Sequence, residues 1–332
     1  METVKLNNGV EIPLIGYGTF KVDPNDTERC VRDAINVGYR MIDTAQFYAN
    51  EEQVGRAIAE SGIAREDLFL VTKVWMNHGD EKGAAISIDE SLRKLRTDYV
   101  DLLLVHQPYG DYYGIYRALE KAYAHGKTRA IGLSNFYDAR FADLVYHSEV
   151  APAVNQLETN VFSQQNNMRE QLIASDTRLM AWGPMGQGKY DFFNHPVLMS
   201  IGEKYGKTAS QVGLRFLVQQ GIPVIPKSVS IQRMKENINI FDFNLDESDM
   251  LRGLNIHDTG LLTLARVAKE QGLVISGQQV LYGTGSTSAV PEYDAAAEAM
   301  TSRSLCLPLP VGQDRSISRS CRVNAGSRKP EL

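Results

Sequence analysis

The chain has 332 residues, 43% hydrophobic and 23% charged, with a formal net charge of -5. That length suits one large α/β domain or two smaller ones, and the charge leaves no basic footprint for nucleic acid. It carries no run of about 18 apolar residues to cross a membrane, and the start METVKLNNGVEIP lacks the basic and apolar segments of a secretory leader. Three scattered cysteines (Cys30, Cys306, Cys321) make neither a disulfide framework nor a metal site, so a reduced, cytoplasmic protein is expected.

Residues 3–20 read as a hairpin: apolar alternation at 4–6 and 10–12 flanks Asn7-Asn8-Gly9, residue types that tolerate the positive φ of a tight turn. Helices and buried strands then alternate. Helices are predicted over 26–37, 51–60, 82–96 and 113–125, with apolar Ala85, Ile88 and Leu92 along one side of the third. Strands are predicted at 40–43, 67–73, 100–106, 130–133, 153–156, 179–182 and 222–225, with helical stretches between them. Residues 197–219 form a long helix with a break near Gly206, and 231–240 a final barrel helix. Adding 14–19 makes eight strands in strict β/α alternation, which favours a (β/α)₈ barrel of the TIM type over an open sheet. Asp246 then caps one more helix ending near residue 255. Beyond residue 260 the period stops: 262–270 has helical character, and from Ser302 the Ser, Arg, Gly and Pro content is that of a disordered segment. The domain reading is a barrel over 1–260 and an appended segment over 261–332, disordered in its last 30 residues or so.

Three of the apolar runs end on an ionisable residue: Met41-Ile42-Asp43, Phe69-Leu70-Val71-Thr72-Lys73 and Leu102-Leu103-Leu104-Val105-His106. The carboxyl ends of buried parallel strands are where such folds place chemistry. Asp43 and Lys73 would form a partly buried ion pair, and Tyr48 could reach back over the same mouth. A nearby ammonium favours phenolate and lowers a tyrosine's pKa. His106, neutral or charged, can donate a hydrogen bond to a carbonyl oxygen. The four suit proton donation to a carbonyl while another group delivers hydride. No GxGxxG follows the first strand, Gly283-Thr284-Gly285-Ser286 reads as a loop, and no HExxH, CxxC or paired histidines indicate a metal.

The segments GYRMIDTAQFYANEEQVGRAI, VTKVW, DLLLVHQP and IGLSNF, in this order and spacing, resemble the aldo-keto reductases over residues 4–258. The resemblance implies a (β/α)₈ barrel that binds NADPH at its carboxyl face. It implies Tyr48 as general acid, Lys73 with Asp43 lowering its pKa, and His106 orienting the substrate carbonyl. Ser134, Asn135 and Gln156 match residues that hydrogen-bond the nicotinamide carboxamide, and Trp182 matches a ring that stacks on it. Gly183, Gly186 and Gly188 fall where a loop approaches the pyrophosphate. In IPKSVSIQRMKEN, Lys227, Ser228, Val229 and Arg233 match the 2′-phosphate site, and Glu236 and Asn237 the adenine contacts. Two cations placed for a dianion favour NADPH over NADH. Phe47, Trp75 and Tyr109, with Tyr112 and Tyr113, are candidates for an apolar substrate pocket.

Within that family AWGPMGQGKYD is most similar to bacterial 2,5-diketo-D-gluconate reductases, which implies sugar-derived ketones, glyoxals or small aldehydes as substrates. After His257-Asp258-Thr259-Gly260 the family's closing segment is replaced by unrelated sequence, either a genuine extension or a frameshift or fusion in the reading frame. No oligomer-forming insertion is evident, so a monomer acting on a small carbonyl compound, without membrane or nucleic-acid partners, is expected. Two alternatives stay open: an NADPH-binding sensor or interaction protein on the same barrel with little turnover, and a Schiff-base enzyme using Lys73 as nucleophile.

Overall fold

The computed structural model describes residues 2–78, 80–188, 190–256, 273–276 and 279–282. It divides the chain into two compact units, residues 1–264 and 265–332. The first opens with β1 (Thr3–Lys5) and β2 (Glu11–Pro13), antiparallel with Val4 opposite Ile12. Only Gly9 in the intervening turn takes a positive φ, 88°; both asparagines stay on the ordinary side.

The alternation then runs as β3 (Tyr17–Gly18), α1 (Pro24–Val37), β4 (Met41–Asp43), α2 (Glu51–Ala59), β5 (Phe69–Val74), α3 (Glu81–Leu95), β6 (Leu102–Val105) and α4 (Tyr112–Ala124). It continues as β7 (Ile131–Ser134), α5 (Asp138–His147), β8 (Val154–Glu158), α6 (Asn166–Ala174) and β9 (Arg178–Trp182). Helices α7 (Pro196–Tyr205), α8 (Ala209–Val218), α9 (Ile231–Ile238) and α10 (Glu247–Leu254) complete the unit. The start of α1 lies earlier than predicted because Asp23 caps it and Pro24 occupies its first turn, where a missing N–H is harmless. The long helix is two: Gly206 turns left-handed (φ 64°) and Thr208 with Gln211 forms a capping box that restarts it as α8.

Strands β3 to β9 form one parallel sheet in sequential order. The predicted eighth strand is reduced to bridges that close the curl, with Val224 pairing Ile15 on one side and Ala181 on the other. Its backbone bonds run both ways: Gly16 N–H donates to Val224 O (2.8 Å) and Ala181 N–H to Pro223 O (2.8 Å). Pro223 and Pro226 lack amide hydrogens, which is why this segment cannot build a full ladder.

Two hydrophobic layers follow from the strand period of two. The outer one lies between sheet and helices. The inner one joins Met41, Phe69, Val71, Leu102, Leu104, Ala130, Val154, Met180 and Ile225 with Leu6 and Ile12 of the hairpin. The hairpin thus packs against the barrel interior.

In the second unit, β10 (Leu273–Ser276) pairs antiparallel with β11 (Gln279–Tyr282), a hairpin the sequence reading did not anticipate. The helical stretch at 262–270 and the segment from Ser302 lie outside the described residues. Among the described residues, no helix is long and apolar enough to cross a membrane.

Gly132, on the inward face of β7, is a test of the packing. A Cβ there would lie 2.3 Å from Val154 O and 2.9 Å from a Leu104 methyl. Gly132→Ala is expected to destabilise the barrel by about 1–3 kcal/mol through overpacking against backbone, read as a lower urea midpoint.

Candidate active site

The strand period that builds the inner core also builds the site. Asp43 is two residues beyond Met41, Lys73 two beyond Val71, and His106 two beyond Leu104. Ser134, Gln156 and Trp182 stand in the same relation to Gly132, Val154 and Met180. Residues two apart share a strand face, so these six groups form one polar layer above the apolar interior. Five of the six line a single cavity of about 620 Å³, well within the range of small-molecule sites, and Lys73 is buried behind Asp43 and Tyr48.

At its floor Lys73 is fully buried and Asp43 only 1% exposed. Lys73 Nζ donates to Asp43 Oδ1 (2.6 Å), to Thr44 O (2.9 Å) and to the Tyr48 hydroxyl (3.3 Å). Asp43 Oδ2 accepts from Gln156 Nε2 at 2.8 Å. Burial works against the Lys73 charge, but Asp43, helped by Tyr48, outweighs it and the amine's pKa lies above its ordinary value. Lys73 is therefore held as an ammonium, which denies the Schiff-base alternative the neutral amine it needs.

Tyr48 belongs to a 3₁₀ turn, Gln46–Tyr48, that follows β4. Burial raises its pKa above the usual phenol value; Lys73 pulls it down and Asp43 pushes it up. The lowering by Lys73 expected from sequence is present, but desolvation outweighs it, and the net direction is upward. The phenol is thus held protonated at neutral pH. His106 is buried, its pKa pushed down to about 3 by desolvation and then by the Lys73 charge. Its imidazole is neutral, and Nδ1 has no hydrogen-bond partner among the described residues. The Tyr48 and His106 rings meet edge to face at 5.5 Å.

Across the mouth, Ser134 at the end of β7 pairs with Gln156 of β8. Asn135, in the left-handed region (φ 65°), donates from Nδ2 to His106 O (3.2 Å) and Ser134 Oγ (3.1 Å). Its Oδ1 accepts from Trp182 Nε1 (2.9 Å), which fixes the indole at the cavity wall. Phe47 stacks on Trp75 at 4.1 Å, and Trp75 meets His106 edge-on at 4.9 Å. These rings form an apolar wall beside the polar groups.

Beyond Trp182, Gly183, Gly186 and Gly188 all adopt positive φ, and Gly183 and Gly188 border the cavity. Lys227 also borders it. Ser228 is buried, its carbonyl accepting from the Tyr17 hydroxyl (2.6 Å), while Val229 and Arg233 are exposed just before and within α9. Among the described residues neither Lys227 nor Arg233 meets a carboxylate, whereas Glu236 accepts from the Thr208 hydroxyl (2.7 Å) and Asn237 is buried.

Of the aromatic candidates, Phe47 and Trp75 line the cavity and Tyr109 does not; it faces Arg140 at 5.5 Å. Tyr112 packs on Tyr113 and Phe136, and the Tyr113 hydroxyl bonds Asp143 on α5. Their place on α4 turns them toward the neighbouring helix. Sequence reasoning missed Phe20, Gln107, Met185, Gln187 and Phe193, which also line the cavity. They sit in loops and carry no distinctive chemistry, so only their place between strand and helix could have flagged them.

Residues 14–253 match the family model described as the aldo/keto reductase family. The chain belongs to the aldo/keto reductase family. It is 44% identical over 251 residues to a glyoxal reductase of Bacillus subtilis, covering 75% of this chain and 90% of that protein. An aldo/keto reductase crystal structure from Brucella melitensis superposes with a TM-score of 0.74 at 41% identity, covering 77% of this chain and 97% of that one. An aldo-keto reductase of Bombyx mori in complex with NADP superposes at 0.73 with 33% identity, covering 76% and 92% of the two chains. As an aldo/keto reductase the chain is an oxidoreductase acting on carbonyl compounds, and the strand-end residues lie inside the matched span.

The neutral His106 carries a stability prediction. Its folded pKa of about 3 lies below its ordinary 6.5, so under acid the unfolded chain takes up the proton first. The contribution is fully present above pH about 6.5 and is lost as pH falls toward about 3. Thermal midpoints measured from pH 7 to 4 should fall more steeply for the parent chain than for His106→Gln; parallel curves would show that His106 is not held neutral.

Proposed function

We propose that this chain reduces small aldehydes and ketones to alcohols with NADPH, with Tyr48 as the proton donor. Glyoxal-type α-dicarbonyls and sugar-derived ketones are the substrate class, in keeping with the similarity to a glyoxal reductase. The observation that carries the reading is the Tyr48 hydroxyl 3.3 Å from a buried Lys73 ammonium, itself 2.6 Å from Asp43.

The residues present fit NADPH by their donor set. Lys227 and Arg233, both exposed, would hold a 2′-phosphate with Ser228, and Val229 would flank it. Gly183, Gly186 and Gly188 bring backbone close to where a pyrophosphate would lie, and Glu236 and Asn237 stand on α9 for the adenine. Ser134, Asn135 and Gln156 would orient the carboxamide, and Trp182 would cover the ring. The reduced nicotinamide supplies hydride to the carbonyl carbon when bound.

This chain's own residues supply the rest. Neutral His106 offers one N–H to the carbonyl oxygen and so orients it without introducing charge. The Tyr48 hydroxyl gives its proton to that oxygen as negative charge develops there. The resulting phenolate rests against Lys73, whose charge Asp43 maintains, and regains a proton from water after the alcohol leaves. The Phe47–Trp75 stack would give the carbonyl an apolar wall beside the reacting centre.

Tyr48→Phe is expected to lower kcat for methylglyoxal-dependent NADPH oxidation by about 10²- to 10⁴-fold, with NADPH affinity unchanged. Tight NADPH binding without turnover on a broad carbonyl panel would instead favour a cofactor-sensing protein. Separately, Lys227→Ala with Arg233→Ala should weaken NADPH binding by about 10- to 100-fold, the worth of a charged phosphate contact. NADH binding, measured in parallel, should be nearly unaffected; equal losses for both cofactors would place the 2′-phosphate elsewhere.

A further inference from the structure

The turn that carries Tyr48 is bracketed by Thr44, whose hydroxyl donates to Asn50 Oδ1 (2.7 Å), and by Asn50, whose Nδ2 donates to Thr19 O (3.2 Å), but it makes few bonds of its own. It follows β4 directly, its Ala45 cap makes no side-chain hydrogen bond, and Ala49 closes it in the left-handed region (φ 55°). Its own backbone bonds are Tyr48 N–H to Ala45 O (3.0 Å) and Ala49 N–H to Gln46 O (3.1 Å). Yet the reading above requires the Tyr48 hydroxyl to hold station over Lys73.

The first residue of the turn ties it to the neighbouring strand and helix. Gln46 Oε1 accepts from the Trp75 N–H at 2.8 Å. Gln46 Nε2 faces Ser87 O (3.1 Å), Ser87 Oγ (3.1 Å) and Ser91 Oγ (3.0 Å) on α3. Ser91 in turn donates to Glu51 Oε2 (3.3 Å), and Thr72, next to Lys73 on β5, donates to Glu51 Oε1 (2.6 Å). One amide therefore ties the tyrosine turn to the end of the lysine strand and to the helix behind it. Gln46 does not line the substrate cavity; it borders a separate polar cavity of about 340 Å³ on the far side of Phe47 and Trp75.

We infer that Gln46 is a positioning residue that fixes the Tyr48 turn and Trp75 relative to Lys73, acting through its hydrogen bonds to the Trp75 amide and to α3. The inference rests on the reading of Tyr48 as proton donor. Its reach is short: Gln46 is two residues from Tyr48, and the ring of the residue between them, Phe47, stacks on Trp75. Loss of the amide frees both partners of that stack at once, so proton donor and substrate wall drift together. Displacements of about an ångström at a reacting centre can lower rates by about 100-fold.

The test uses the full chain with NADPH and methylglyoxal, comparing the parent with Gln46→Leu, Ser87→Ala/Ser91→Ala and the combined variant. Gln46→Leu keeps the side-chain bulk and removes the bonds; kcat should fall about 10- to 100-fold while the NADPH Kd stays within about 2-fold. The serine variant should lower kcat in the same direction. The combined variant should be less impaired than the product of the two, because both remove the same interaction. A merely structural residue would lower the melting temperature and leave kcat per folded molecule unchanged. A folded Gln46→Leu protein with parental kcat overturns the inference, as do strictly multiplicative losses. Should Gln46→Leu fail to fold, parental kcat in the serine variant overturns it equally. Tyr48→Phe, run alongside, separates the two claims: an active Tyr48→Phe enzyme defeats the proton-donor reading, whereas an inactive one beside a fully active Gln46→Leu defeats only this inference.

Discussion

The ion pair between Lys73 and Asp43 is the constraint around which the rest of the site is arranged. Taking two charges out of water is penalised by several kcal/mol per ion, and only close geometry with complete hydrogen bonding compensates. An ammonium has three protons to place. Here the acceptors are Asp43, the Thr44 carbonyl and the Tyr48 hydroxyl. Tyr48 is therefore a structural requirement of the buried lysine before it is anything else. Asp43's second oxygen is met by Gln156, 113 residues away on β8, so the pair also reaches across the barrel mouth. Satisfying one buried cation thus brings together residues from β4, β5 and β8 and the turn between β4 and α2.

The barrel divides its interior between stability and chemistry by a simple rule. Inward-facing positions lower in the strands are apolar and pack with Leu6 and Ile12 of the hairpin; the last inward position on six strands is polar or aromatic. The same alternation that closes the core also aims the side chains. Groups on strands are held by the sheet, as Asp43 and Lys73 are. Groups just beyond strands need supplementary ties, and the structure provides them: Asn135 clamps Trp182 and the His106 carbonyl, and Gln46 clamps the turn of Tyr48.

Much of this was legible in the sequence because buried parallel strands are near-continuous apolar runs, and an ionisable residue ending one is conspicuous. Asp43, Lys73 and His106 were found that way, and Trp182 by resemblance. The eighth strand was located at the right residues, but Pro223 and Pro226 shrink it to bridges. Burial was not legible: nothing in the spacing of Asp43 and Tyr48 shows that desolvation outweighs Lys73 at the phenol. Aromatic residues close in sequence were misleading where helical geometry turned them away, as with Tyr112 and Tyr113. Loop residues such as Gln187 and Phe193 depend on tertiary placement, as do the Gln46 hydrogen bonds to Trp75 and α3, which span 29 to 45 residues and leave no local pattern.

The charge balance of the cavity explains why these four groups suit a neutral carbonyl. Before reaction the floor holds one cation and one anion in contact, with a neutral phenol and a neutral imidazole above them. An uncharged substrate enters such a site without burying an unpaired charge. In the proposed reaction the imbalance arises only as the proton leaves Tyr48, when negative charge forms beside Lys73. The ammonium then gains far more than it did against the neutral hydroxyl, and it gains this in the transition state rather than in the ground state. Burial raises the phenol's pKa in the resting protein for the same reason that it strengthens this later interaction: a low-dielectric surround penalises the isolated phenolate and magnifies its attraction to a fixed cation. In the proposed reaction the two opposing influences on Tyr48 therefore act together, keeping a donor protonated until a carbonyl oxygen is ready to accept.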